Sequence, residues 1–325
     1  MSHAIESARA RTETRTMTRE SRRRRDLLRN LAFLSPWLAG TGLFFLYPLV
    51  ATAYFSFTHY DGFNAPRWTG LRNWAFVIHD YPFFWPAMRN TLWLVLVVVT
   101  VRVLFGLAVG LLVIRLKHGG GFFRTLYYAP YLAPPVAGTI AFVFLLNPGT
   151  GPVNVLLGRL GLPQPGWFND PSWSKPSLAL LALWGVGDLM VIFMASLLDV
   201  PKEQYEAAQL DGAGAFGRFR FVTLPHLRPI LVFAAITGVI ATMQYYTEPL
   251  VAGQVASGQI GGSGQQTEPG YPDGSTLTLP QLVYNLGFQR FDIGAACVIA
   301  LVLFALCMVF AALLLRRGTG FLGDD

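Results

Sequence analysis

Apolar runs long enough to cross a bilayer recur along this chain, and they limit its fold more than any other feature. Six are legible, at about 31–57, 90–114, 122–146, 178–198, 230–250 and 292–315. A run of about 20 apolar residues matches the hydrocarbon thickness as a helix. Within that layer a helix pairs its own backbone N–H and C=O groups. With 53% hydrophobic and only 13% charged residues in 325, the expected fold is all-α: a polytopic membrane protein with six transmembrane helices.

An even number of spans puts both termini on one side. Of the 25 Lys and Arg residues, 18 fall in the tail before residue 30, the loops 115–124 and 200–229, and the C-terminal tail; six fall in the alternate loops and Arg102 lies inside a span. The positive-inside rule assigns both termini and the loop 200–229 to the cytoplasm. The net charge of +7 is thus a matter of topology and no reason to invoke nucleic acid. Residues 1–26 read as a disordered basic cytoplasmic tail, 27–318 as the membrane domain and 319–325 as a second cytoplasmic tail. A cleavable signal peptide is not expected, because the first apolar run is longer than a typical h-region and no small-residue cleavage site follows it. Cys297 and Cys307 lie ten residues apart on one helix, about 15 Å of rise, too far to bridge. The two Cys and five His show no metal-ligand spacing, so no metal site is expected.

The loop 200–229, VPKEQYEAAQLDGAGAFGRFRFVTLPHLRP, is too polar to span a bilayer and too aromatic for an ordinary solvated loop. Pro201 suits a helix start, and a short helix over 202–210 follows. Asp211-Gly212 supplies a turn, and a second helical piece over 213–222 is expected to stop before Pro225. Tyr205, Phe216, Phe219 and Phe221 interleave with Arg218 and Arg220, and Ala207-Ala208 forms a step where another backbone can approach. Exposed aromatics beside Arg mark a protein docking site; the alternative is an amphipathic hairpin lying on the lipid surface.

The composite Glu206-Ala207-Ala208, Asp211-Gly212-Ala213 and Leu224-Pro225 resembles the EAA loop of permease subunits of ATP-binding-cassette importers. From residue 31 onward the chain is most similar to the carbohydrate type, the maltose and glycerol-phosphate permeases. Further elements stand in family order: Gly70-Leu71-Arg72-Asn73-Trp74, Pro130 to Pro134, Asn147 to Gly151 and Trp167 to Pro171. The resemblance implies a bacterial plasma-membrane subunit that binds no cofactor, with ATP and Mg held by a partner. Expected partners are two ATPase subunits, a second permease, usually a homologue, and an extracytoplasmic solute-binding protein. It further implies that Glu206 pairs with a basic ATPase residue, that Gly212 permits the bend, and that Tyr205, Ala207, Ala208, Asp211 and Phe216 fill a groove on the ATPase. An enzymatic role for the chain itself is not expected. GGSGQQT at 261–267 superficially resembles a phosphate loop but lacks its Lys and preceding strand.

By the same resemblance Tyr131, Trp184, Gly185, Asp188, Thr242 and Tyr245 stand at or beside sugar-contacting positions, and Gln244 and Glu248 belong to the polar run that closes the fifth span. Tyr131 and Trp184 are equally readable as packing residues, and Thr242 and Tyr245 as an outer seal. The family's asparagines on the fifth span are not reproduced, so the particular sugar is not transferable. A central Arg costs about 2.5–3.5 kcal/mol on insertion, so Arg102 is expected to face protein or a wet cavity. It is expected to form an ion pair with Asp188, or one of the two with Glu248. The prolines at 130, 134 and 135 break the third span, and broken backbone at membrane depth survives only in protein or beside a cavity. An ion-coupled secondary transporter is the competing class, since it too would explain intramembrane charges.

Overall fold

The computed structural model of the chain describes residues 26–27, 29–116, 118–258 and 269–319. The basic tail through residue 25, the GGSGQQT stretch and the final tail from 320 lie outside the described residues, while Asp26, assigned above to the tail, is already helical. Two units are distinguished, Met1–Tyr54 and Phe55–Asp325. Most of helix α1 (Arg29–Phe55) belongs to the first.

The second unit opens on a two-stranded antiparallel ribbon, β1 (Thr58–His59) and β2 (Arg67–Trp68), in the register Thr58 to Trp68 and His59 to Arg67. Next come α2 (Arg72–Ala75) and α3 (Phe84–Ile114). Then α4 (Gly120–Tyr128), a 3-10 turn Ala129–Leu132 and α5 (Pro135–Leu145) form a pair bent by 102°. The short α6 (Pro152–Arg159) follows, and α7 (Pro171–Trp184) and α8 (Gly187–Leu198) form a second pair, bent by 50°. Beyond them lie α9 (Lys202–Leu210), α10 (Ala215–Met243), α11 (Thr247–Ala256), α12 (Leu279–Tyr284) and α13 (Ile293–Thr319). Among the described residues, four helices are long and apolar enough to cross a membrane, or six segments if each bent pair is one span.

Helix α3 is the centre of the packing. It contributes to each of five apolar clusters: through Phe84 and Ala87 it meets α12 and α13, through Leu94 and Val98 it meets α5 and α7, through Leu107 it meets α8, and through Val95 and Val99 it meets α10. It starts six residues before the expected position 90, because Phe84 and Ala87 are core residues and Pro86 sits in the first turn, where its missing N–H has no intrahelical role. Asn90, expected to open the span, instead secures the loop before α12. Its Nδ2 donates to the Gly274 and Leu277 carbonyls at 2.8 and 3.1 Å, and its Oδ1 accepts from Lys175 at 3.2 Å.

Three prolines are accommodated in the same way. Pro48, Pro82 and Pro225 each follow a π-turn, and the residue before each donates five positions back: Tyr47 to Gly42, Tyr81 to Phe76 and Leu224 to Phe219. The wider turn takes up the step at which a proline ring would otherwise meet a carbonyl four residues earlier. For this reason α10 does not stop before Pro225 as expected but begins at Ala215 and runs unbroken to Met243. It also ends sooner than the expected 250, since the chain leaves the helix at Gln244 to Tyr246 before α11 begins.

The structure gives the motif elements a local mechanism. Asn73 Nδ2 donates to the carbonyls of Ser56 at 3.0 Å and Thr58 at 2.7 Å, tying α2 to the ribbon. Asn147 accepts from the N–H groups of Gly149 and Thr150, and Asp170 accepts from Ser172 N–H at 2.8 Å to cap α7.

Gly106 and Gly110 set the approach of α8 to α3. A Cβ on Gly106 would stand 2.9 Å from Leu189 Cβ, and one on Gly110 3.4 Å from the Met190 carbonyl oxygen. Gly106→Leu is therefore expected to lower stability by about 1–3 kcal/mol, the usual cost of overpacking a core. A thermal unfolding scan of the detergent-solubilised protein, with Gly40→Leu on α1 as the control because nothing lies within 4 Å of its Cβ position, checks this.

Candidate functional site

Arg102, Gly106 and Gly110 recur at intervals of four on α3, so they share one face, the face that meets α8. The two glycines let the helix backbones close together, and Arg102 thereby reaches the start of α8. There the helical ladder is interrupted: Gly185 and Val186 leave α7 with ψ of 22° and 0°. Gly187 reopens the helix where the Tyr127–Tyr128 backbone crosses it, and a Cβ there would lie 2.5 Å from the Tyr127 carbonyl oxygen. Asp188 follows in the first turn of α8, where unpaired N–H groups favour a negative charge.

Arg102 Nη2 donates to Asp188 Oδ1 at 3.0 Å and to the Gly185 carbonyl at 3.4 Å. The two side chains are 22% and 27% exposed. Beside them a cavity of about 150 Å³ opens between α3, α8 and α10, where Thr237, Gly238 and Thr242 complete a mixed polar and apolar wall. The structure thus brings together four sequence-selected residues, Arg102, Gly185, Asp188 and Thr242. Thr237 and Gly238 went unselected; their one sequence signal is a Thr-Gly step inside an apolar run. Arg102 pairs here with Asp188.

The other selected pathway residues stand elsewhere. Trp184 packs over Gly138, whose Cβ position is 3.0 Å from the indole, and beside Phe142 at 5.3 Å between centroids. Tyr131 is half exposed, with its ring 5.6 Å from that of Tyr128. The Tyr245 carbonyl accepts from Thr278 Oγ1 at 3.1 Å. Gln244 is exposed and Glu248 opens α11.

The loop 200–229 is a second constellation. Helix α9 ends in a Schellman motif: Gly212 N–H donates to the Gln209 carbonyl and Ala213 N–H to the Ala208 carbonyl, at 3.1 and 2.9 Å, with Gly212 at φ +80°. The spacing from Ala208 to Asp211-Gly212-Ala213 is therefore the spacing of a helix stop. The Tyr205 hydroxyl meets Thr223 Oγ1 at 2.9 Å and fastens α9 to the start of α10, so Tyr205 is half buried within the hairpin. The face left open is apolar: Leu210 is 90%, Phe216 79% and Phe221 74% exposed, beside exposed Glu206, Ala207 and Asp211. Leu210 was not singled out in the sequence, because one Leu ending a polar helix carries no distinguishing pattern.

The family model for the binding-protein-dependent transport system inner membrane component matches residues 71–319. The chain belongs to that family. This transport component is 30% identical over 278 residues to the lactose transport system permease protein of Rhizobium radiobacter, covering 84% of this chain and 88% of the relative. It is 31% identical over 306 residues to the diacetylchitobiose uptake system permease protein of Streptomyces coelicolor, covering 89% and 82% respectively. Its fold matches a chain from the crystal structure of a bacterial ABC transporter involved in the import of the acidic polysaccharide alginate, with a TM-score of 0.71 over 91% of this chain and 96% of that one, at 19% identity. Membership in this family leaves the ion-coupled alternative without support.

Because Gly212 holds a left-handed conformation, Gly212→Val is expected to cost about 1–2 kcal/mol locally and to unfasten the α9 stop. Gly212→Asn is expected to be tolerated. Limited proteolysis of the membrane-inserted protein, read as cleavage between residues 200 and 220, should be faster for the Val variant alone.

Proposed function

We propose that this chain is the transmembrane subunit of an ATP-binding-cassette importer, forming half of the translocation pathway for a sugar or sugar derivative and coupling to a separate ATPase through the loop 200–229. The observation that carries this is the fastened hairpin whose open face presents Leu210, Phe216 and Phe221 next to Glu206. An apolar, aromatic face on a rigid two-helix element is suited to seating in a groove of another protein. The permease names borne by the relatives, lactose and diacetylchitobiose among them, support the sugar assignment.

In this mechanism ATP and Mg are bound by two ATPase subunits, a second permease completes the pathway, and an extracytoplasmic binding protein delivers the solute. Both termini and the hairpin face the cytoplasm, and the protein resides in a bacterial plasma membrane. Closure of the ATPases moves the two hairpins. Because α9 is fastened to α10 through Tyr205 and Thr223, and α10 carries Thr237, Gly238 and Thr242 on the cavity wall, that displacement passes along one continuous helix to the pathway. Asp188 and Thr242 on the cavity wall are the groups that sugar hydroxyls would meet, while Tyr131 and Trp184 stand outside that cavity.

Glu206→Lys puts a positive charge where the ATPase is expected to supply one. The variant should reach the membrane at wild-type level while ATP-driven uptake by the complete transporter falls at least about tenfold, in keeping with the 2–5 kcal/mol lost when one partner of an interfacial charge pair is removed. Uptake at the wild-type rate, with the ATPase still bound, would refute the coupling role.

A further inference from the structure

Helix α7 and helix α8 form one bent span, and a break of this kind leaves a backbone carbonyl without its helical donor. In the structure the guanidinium of Arg102 is at that break, and its Nη2 donates both to the Gly185 carbonyl and to the Asp188 carboxylate. The two acceptors belong to opposite ends of the interruption, the first at the end of α7 and the second in the opening turn of α8. One side chain from a third helix therefore bridges both halves. A lysine also carries its donors on one nitrogen, but on a shorter stem and without the planar guanidinium that fixes their direction.

The surroundings make this junction a place where orientation matters. Gly106, Gly110 and Gly187 hold α8 against α3 and α4 without intervening side chains, so a change in the bend is transmitted to both. Asp188 uses Oδ1 for Arg102, and both residues line the cavity with Thr237 and Thr242. Arg102 Nε is buried and has no hydrogen-bond partner among the described residues.

We propose that Arg102 is the positioning residue of the pathway: it splints the broken α7–α8 span across Gly185 and Asp188, fixing the bend between the two helices and the direction in which the Asp188 carboxylate meets the cavity. The inference rests on the transport function proposed above, yet its principal readout does not depend on any cargo.

The test is a distance measurement by pulsed electron spin resonance on the complete transporter, with Cys297 and Cys307 replaced by Ala and nitroxide labels at the exposed positions Leu180 on α7 and Leu198 on α8. In the protein with Arg102 intact the distribution should be narrow. Arg102→Met, which removes both bonds, should broaden or shift it, and Arg102→Lys, which keeps N–H donors on a shorter side chain, should do so to a smaller degree. Asp188→Asn keeps the Gly185 bond and an amide oxygen for the guanidinium, and should stay close to the unsubstituted distribution. ATP-driven uptake of the solute held by the co-purified binding protein should fall roughly tenfold in Arg102→Met, within the range by which lost coupling between sites is felt. An unchanged distribution in Arg102→Met overturns the proposal; should Arg102→Met fail to assemble, Arg102→Gln, which has neither the charge nor the reach, decides in its place. An absence of ATP-driven uptake in the unsubstituted transporter would instead count against the importer function and leave the distance result standing.

Discussion

A guanidinium placed deep among apolar helices must be answered by acceptors, and in this chain that requirement organises the centre of the bundle. Arg102 offers only N–H donors and no acceptor, and the protein supplies a carboxylate at the N-terminal turn of α8 and a carbonyl released by the break before it. The glycine stripe on α3 exists on the same face as Arg102, which brings the acceptors within reach. Ion pair, broken span and close helix contact are consequently parts of one arrangement. A pair of this kind adds little net stability once desolvation is counted, but removing one partner leaves the other stranded.

Interrupted helices recur wherever the chain turns toward the cavity or the hairpin, and each interruption has its own means of satisfying the backbone. Pro134 and Pro135 divide α4 from α5, with Ala133 extended between them. Three other prolines are absorbed by π-turns within or at the end of helices. At Gly185 the donor comes from another helix entirely. Local adjustment suffices where a turn can widen, whereas a true break needs tertiary help.

In the proposed coupling, the hairpin is the element that would join these features to the ATPase. Its turn is a Schellman stop, its two helices are fastened by a tyrosine and a buried threonine, and its second helix continues without interruption into the cavity wall. The continuity through Pro225 matters because a hinge there would absorb movement before it reached Thr237 and Thr242. Tyr205 shows how a residue credited with docking can instead hold the docking element together.

Much of this was readable from residue order, because the signals are local. Apolar length announces the spans, and Pro201 and Asp211-Gly212 bound α9 at the residues where the structure ends it. The sequence by itself also singled out Arg102 and Asp188, since charges in apolar runs stand out regardless of what surrounds them. Tertiary structure decided the rest: which acceptors answer Arg102, that Trp184 lies against Gly138, that α3 begins at Phe84, and that Thr237 and Gly238 face the cavity. Those outcomes depend on which helix faces are brought together, and a nearly uniform apolar helix such as α3 carries no amphipathic pattern from which its neighbours can be inferred.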